Sequence, residues 1–450
     1  MTPPPRKPVR GFALAECALA SFDRQVATRA RVQRPDRYRL LAALDADAPR
    51  IARGAGVSYV AASFGAGAIS QDLGAFNRLL AFDDTAGTLT VEAGVAIGDA
   101  QRFALARGWY VPVAPGHPAA TIGGCIAADV HGKNPARDGT FRRHVERLEL
   151  WSPVHGARAA SRTHNAELFF ATCGGFGLTG TIVRAKLRLE RPPRALVLRR
   201  MPVADLAAAA RVLRDAANAP VLYGWHDGRA RTFGRGVIRV GLASDAPEAL
   251  AARTREVPDL AATIAPAPVT LWNPLSIAVA DAWLRSRWCR AGQAPLAFAD
   301  ALFPLNDARR YFAAFGAAGL VEAQWLVPHA RFDDFAGALA DAVRRHRPRI
   351  TLVASKLFEG MADGFAFDGA GIALALQLAS PAAPPQRAFL EALAGLAIER
   401  GGRPNLIKDS TLDAATVRRA IPDFDKAHAR LAAHNPQGLH RSALSLRLGL

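Results

Sequence analysis

The chain has 450 residues, half of them hydrophobic and 21% charged, the balance of a soluble globular protein of two or three domains of about 150 residues each. Gly 38 and Pro 30 are close to average usage, which excludes collagen-like, low-complexity and disordered chains. The formal net charge of +18 favours anionic partners: nucleic acid, an anionic membrane surface or a phosphorylated substrate.

In chain order, residues 1–10 are a Pro- and Arg-rich lead without the apolar run of a secretory signal. A helix is expected over 37–44. From 50 onward, short apolar runs are punctuated by glycine. Residues 87–94 predict a strand and 97–107 a helix stopped by Gly108. A short strand is expected over 110–113, and a half-buried strand over 181–190, where apolar and basic residues alternate. Arg191-Pro-Pro-Arg194 marks a linker. Beyond it, helices (205–218, 331–346, 389–400) alternate with strands (237–241, 323–327, 350–354, 372–378), and 416–447 is helical and basic. The fold class is therefore α+β.

The basic residues are lopsided: six lysines (Lys7, Lys133, Lys186, Lys356, Lys408 and Lys426) leave 57 − 6 = 51 arginines. An Arg- and Ala-rich composition accounts for much of the charge. It also makes each lysine informative, because a buried Lys can lose its proton whereas Arg cannot. No nucleic-acid module or aromatic-basic repeat accompanies the charge, so nucleic acid is not the expected partner. Cys17, Cys125, Cys173 and Cys289 form no C-x-x-C pair. That excludes a disulfide framework and a zinc site, and it points to a cytoplasmic setting with no metal. No charge-free apolar stretch of about 18 residues occurs, so no spanning helix is expected.

Three glycine loops carry the chemistry. Arg53-Gly54-Ala55-Gly56-Val57-Ser58-Tyr59 follows a strand; its glycines can turn backbone amides onto an anion or simply make a tight turn. Residues 115–134 run Pro115-Gly116-His117 to Thr121, then Gly123-Gly124 opening a small apolar stretch that suits a helix N-terminus aimed at a phosphate. They end in Ala128-Asp129 and His131-Gly132-Lys133-Asn134. The third loop, Cys173-Gly-Gly-Phe-Gly177-Leu-Thr-Gly180 before Ile182, implies close backbone approach or a tight strand entry.

Together these loops, over roughly residues 35–190, resemble the PCMH-type FAD-binding domain of the vanillyl-alcohol-oxidase flavoenzymes. The resemblance implies FAD, gripped at its pyrophosphate by the first two loops and at its adenine end by the third. His131-Gly-Lys-Asn134, Gly139-Thr-Phe-Arg-Arg-His-Val145, Phe303-Pro-Leu305, Lys356-Leu-Phe358 and Lys408-Asp-Ser410 are similar to the decaprenylphosphoryl-β-D-ribose 2′-oxidase branch of that family. That branch implies a two-domain enzyme: an FAD-binding domain over 1–193, to which 405–450 return, and a substrate-binding cap over 194–404. It implies oxidation of a polyprenylphosphoryl ribose to its 2′-keto form, with a short-chain reductase as partner enzyme. Lys408 matches a lysine between flavin and sugar that holds the hydroxyl, supports reduced flavin or relays the proton. His131 and Lys133 match positions beside the flavin ring, and Tyr59 an aromatic position next to it. Gln324, Lys356, Glu322, Phe315 and Asn134 match the sugar pocket.

Departures from the family are informative. Val57 stands where relatives with covalent flavin carry the linking His, so FAD is expected to be dissociable. Ala375 replaces a pocket cysteine, and Glu322 and Phe315 replace a Gln and a Tyr. The alternative reading is a soluble sugar, alditol or aldonolactone oxidase that uses oxygen. The positive charge and the aromatic segments 271–275 and 283–288 also predict peripheral association with an anionic membrane.

Overall fold

A computed structural model describes residues 14–43, 47–251, 266–304 and 309–450. The basic lead 1–10, Leu44 at the end of the first expected helix, and Leu305 lie outside the described residues.

Among the described residues seventeen strands form three sheets. The first holds β1 (Ala15–Ala20), β2 (Ala27–Gln33), β3 (Arg50–Arg53) and β4 (Ile69–Asp72) in the order β1-β2-β4-β3. The second holds β5 (Leu79–Asp83), β6 (Thr88–Glu92), β7 (Val145–Ser152), β8 (Gly156–Ser161) and β9 (Thr181–Arg188) in the order β5-β6-β9-β7-β8. All of its pairings are antiparallel. The third comprises β10 (Leu196–Val203), β11 (Val221–His226), β12 (Gly236–Ala243), β13 (Gly292–Leu296), β14 (Leu320–Pro328), β15 (Ile350–Glu359), β16 (Ala370–Ala379) and β17 (Arg403–Pro404). Its order is β13-β10-β12-β11-β15-β16-β14-β17. Helix and sheet mix as an α+β fold.

The large sheet places the site through its period of two. In β14, Val321, Ala323, Trp325 and Val327 join the core under the helices Leu206–Asp215, His329–His346 and Pro384–Glu399. Glu322 and Gln324 therefore face the other way. In β16, Ile372, Leu374, Leu376 and Leu378 take the core side, leaving Ala375 and Gln377 beside them. Antiparallel register sets Glu322 opposite Gln377, Gln324 opposite Ala375, and Lys356 opposite Ala373. One polar row thus crosses three strands.

The end of the chain returns to the first sheet. Arg50 N–H donates to Leu439 O, Arg441 N–H to Arg50 O, and Leu444 N–H to Ala61 O.

Several expected elements differ in detail. Residues 110–113 form no strand; only Tyr110 bridges, to Glu190, because Pro112 lacks the amide a ladder needs. The helix expected at 37–44 is a 3-10 helix over Tyr38–Ala43. The basic stretch 416–447 is three helices, Ala414–Ala420, Phe424–His434 and Ala443–Leu448. They are broken at Pro422 and at Pro436-Gln-Gly438, where Gly438 has φ +61°.

Candidate functional site

The polar row of the large sheet meets the loop 131–134. His131 Nε2 lies 3.2 Å from Gln324 Nε2, and Gln324 Oε1 accepts from Asn405 Nδ2 at 2.8 Å. On the other side of the ring, Lys356 Nζ stands 3.0 Å from His131 Nδ1 and donates to Gly132 O at 2.6 Å. Phe358 and Phe367 pack on the imidazole, with centroids 5.3 and 5.9 Å away. Burial, and then the positive charges of Lys356 and Lys408, hold the His131 pKa well below its usual value. The ring is therefore neutral.

Lys408 follows β17 on a short turn closed by its own N–H to Asn405 O. Its Nζ donates to Glu322 Oε1 at 2.6 Å and sits 4.5 Å from the centre of the Tyr59 ring. Glu322 Oε2 accepts from Gln377 Nε2 at 2.5 Å, which also donates to Tyr59 Oη at 3.1 Å. Tyr311 Oη donates to Gln377 Oε1 at 2.6 Å. Burial opposes ionisation of Glu322, but Lys408, Gln377 and Tyr59 outweigh it and keep the carboxyl below its usual range. Burial, followed by Lys133 and Lys408, pushes Lys356 well down. Burial and Lys408 push Lys133 down to about 7. Lys408 thus pairs with one ionised carboxylate, and the two lysines that interact with it, Lys356 and Lys133, are both poised to give up charge.

The loop 53–61 opens beside this cluster. None of its backbone amides from Gly54 to Ala61 donates to another group of the described residues. Ser58 Oγ is buried without a partner among the described residues. Arg53 folds over the loop, its Nη1 bonded to Ser63 Oγ at 2.8 Å, and its guanidinium fills the space a side chain at Gly56 (φ +71°) would need. Thr121 presses on Gly54 from the second loop; a Cβ at Gly54 would collide with Thr121 Oγ1. Uncommitted amides, a hydroxyl and a guanidinium around a glycine turn make a cradle for an anion.

Gly123 and Gly124 serve a different purpose from the one their sequence suggests. The helix Ile122–Ala127 starts before them, capped by Thr121 Oγ1 accepting from Gly124 N–H. Gly123 N–H is taken by Ala93 O. Their amides are engaged, and what Gly123 contributes is close packing: its Cβ would stand 2.9 Å from that of Ala93. The third loop is also spent inside the protein. Gly174 and Phe176 N–H donate to Ile126 and Ala127 O, and Gly177 and Gly180 sit at φ +81° and +141°.

Other predicted positions fall as follows. Asn134 is committed elsewhere: its Nδ2 donates to Ala217 O and Ala219 O, both at 2.6 Å, and its Oδ1 accepts from Arg137 N–H. Phe315 is fully buried behind Tyr311 and Trp272 rather than lining the opening. Asp129 is held by Thr140, Arg142 N–H and the Arg142 guanidinium. Ala128 caps its helix and Ile182 is in the core of the second sheet. His117 Nδ1 accepts from Ala119 N–H beside the less buried Pro115 and Gly116. Gln377, Tyr311 and Asn405 complete the site and were not expected. The signal available for Gln377 was a lone amide in an otherwise apolar strand, Ile372–Ala379. Trp225-His-Asp-Gly228, without an assigned role in the sequence, joins β11 to its neighbours: His226 Nε2 meets Ser355 Oγ at 2.7 Å and Asp227 pairs with Arg229.

Residues 39–156 match the family described as FAD binding domain. Over 424 residues, 89% of each chain, the protein is 28% identical to the "Decaprenylphosphoryl-beta-D-ribose oxidase" of Mycolicibacterium smegmatis. It is 31% identical over 137 residues to an "Uncharacterized oxidoreductase ORF5 in fasciation locus" of Rhodococcoides fascians, covering 30% of this chain and 31% of that one. A 94-residue stretch is 42% identical to an uncharacterized Streptomyces coelicolor protein, over 21% of this chain and 25% of the other. The chain is an FAD-dependent oxidoreductase with a PCMH-type FAD-binding domain.

The residues present fit the cofactor: the free amides of 54–61 and the unpartnered Ser58 Oγ are what a pyrophosphate needs. Among the described residues no group of three or more His, Cys, Asp or Glu is placed to hold a metal, and no helix is long and apolar enough to cross a membrane.

Proposed function

We propose that this enzyme oxidises the 2′-hydroxyl of a polyprenylphosphoryl-β-D-ribose to the 2′-keto sugar. The observation that carries the reading is the cluster of Lys408, Glu322, Lys356, Lys133 and His131, in a chain similar over 89% of its length to a protein named for that substrate. Oxidation of a secondary alcohol removes a hydride and a proton. FAD, held by Arg53, Ser58 and the amides of 54–61, supplies the hydride acceptor.

This chain's own residues handle the proton. Lys408 Nζ binds the hydroxyl oxygen. The proton leaves that oxygen for Nζ while Lys408 passes one to Glu322 Oε1, 2.6 Å away. Neutral His131 lines the other side, with Lys356, its basicity lowered by burial, beside it. Lys133, with its pKa near 7, takes up or releases a proton in step with an anionic ligand. Residues 1–193 with 405–450 form the cofactor half in this reading, and 194–404 the substrate cap. FAD is non-covalent, because Val57 offers no atom to join the ring. The keto product then passes to a short-chain reductase, which returns a hydride from the opposite face.

Anaerobic titration of the holoenzyme with polyprenylphosphoryl ribose tests the reading. Bleaching of the flavin bands supports it. A flavin reduced only by free aldonolactones or alditols, with oxygen as acceptor, overturns it.

A further inference from the structure

The helix Pro274–Trp288 is built inside out. Leu275, Val279 and Trp283 recur every four residues and so share one face. They are 75%, 62% and 55% exposed, and Leu271, just before the helix, is 54% exposed. On the inward side Ile277 and Asp281 are buried. Asp281 pairs with Arg229 at 3.1 Å, Arg229 with Asp227 at 2.8 Å, and Arg285 with Asp227 at 2.5 Å. This ion cluster pins the polar face inward, against the ordinary preference of a surface helix, and forces the apolar stripe into solvent. Contiguous exposed apolar surface of this kind marks an interaction site.

We propose that this stripe docks on an anionic lipid bilayer. The charge around it favours that occupant over a second copy of the chain. Arg287 and Arg290 are exposed at the C-terminal end of the stripe, with Arg231 and Arg235 exposed nearby in sequence to the Asp227 cluster, whereas the acidic groups Asp227 and Asp281 are buried beneath it. Two chains of net charge +18 repel each other, whereas each attracts anionic headgroups. A Trp beside aliphatic side chains and arginines suits the boundary between headgroups and acyl chains. The stripe also begins at the site. Leu271 N–H donates to Ala314 O, Trp272 Nε1 donates to Tyr311 O at 3.3 Å, and Tyr311 Oη donates to Gln377 in the polar row. The inference deepens the reading above, since a lipid-linked sugar phosphate would leave the bilayer where the stripe meets the opening.

The test is co-sedimentation of the holoenzyme with phosphatidylcholine vesicles, with and without phosphatidylglycerol. The expected result is retention on the anionic vesicles that weakens with salt, and a loss of about tenfold or more in Val279→Ser/Trp283→Ser. The FAD content of that variant and its rate on a water-soluble, short-chain sugar phosphate should be unchanged. Trp283→Phe gives a milder check, reducing fluorescence quenching by brominated lipid. Equal retention of wild type and double variant overturns the proposal. So does a wild-type dimer, made monomeric by the same substitutions, that ignores vesicles. If stripe-dependent binding persists while polyprenylphosphoryl ribose fails to bleach the flavin, the reaction assignment falls and the docking surface stands.

Discussion

Lys408 Nζ donates to Glu322 Oε1 across 2.6 Å, and the other oxygen of the same carboxylate accepts from Gln377 at 2.5 Å. Three strands of the large sheet and one turn are needed to bring these groups together. The pair should dominate the chemistry. Lys408→Ala is expected to slow flavin reduction by substrate about 10²- to 10⁴-fold with FAD still bound. Glu322→Gln should cost nearly as much as Glu322→Ala, because an amide oxygen can accept a hydrogen bond from Lys408 but cannot take its proton. Stopped-flow absorbance under anaerobic conditions measures both effects, and a Glu322→Gln variant close to wild type would contradict the relay.

Cofactor affinity should rest on the first glycine loop. Gly54→Ala drives a Cβ into Thr121 Oγ1, and Arg53→Ala removes the guanidinium that folds over the loop. Both variants should purify with markedly less flavin and show a smaller rise in melting temperature on addition of FAD. Acid precipitation of the wild-type holoenzyme should leave the yellow colour in the supernatant, as Val57 requires. Flavin in the pellet would show a covalent bond.

Asn134 should behave as a strut. Its amide satisfies two buried carbonyls, Ala217 O and Ala219 O, in the loop before β11. Asn134→Ala strands both and is expected to cost roughly 1–3 kcal/mol of stability, read as a lower urea midpoint. Turnover per folded, FAD-loaded molecule should change little. A large rise in substrate KM at unchanged stability would restore Asn134 to the sugar pocket.

Acid should destabilise the protein through buried histidines. Burial holds His226 down to about 4, and burial together with Arg50 holds His440 down to about 3, against an ordinary value of 6.5. Both are neutral in the native state, and neither His440 ring nitrogen has a hydrogen-bond partner among the described residues. Below pH 6.5 the unfolded chain gains protons that the native state refuses. The stability is therefore present above 6.5 and is lost as pH falls toward those lower values, at up to about 1.4 kcal/mol per pH unit for each proton. Denaturant titrations across that window should show the slope, and His440→Asn should flatten it.

Much was legible in the chain itself, because it depends on local chemistry. Glycines are required where φ is positive or backbone approaches closely, so Arg53–Tyr59 and Cys173–Gly180 announce themselves. Apolar periodicity located the strands that became β6, β9, β14, β15 and β16 to within a few residues. The scarcity of lysine makes all six informative, and the family resemblance is what picks out Lys133, Lys356 and Lys408 among them. What the sequence could not determine was what each polar group would meet. Gln377, Tyr311 and Asn405 enter the site only through strand register and the turn after β17. Gly123 and Gly124 look like free anion donors until the fold takes up their amides, and Asn134 looks like a ligand until Ala217 and Ala219 claim it. The outward turn of Leu275, Val279 and Trp283 was likewise set at a distance, by Arg229 and Asp227 holding Asp281 and Arg285 inward. Hydrogen-bond partners and helix orientation are long-range choices, fixed when buried polar groups must all be satisfied at once.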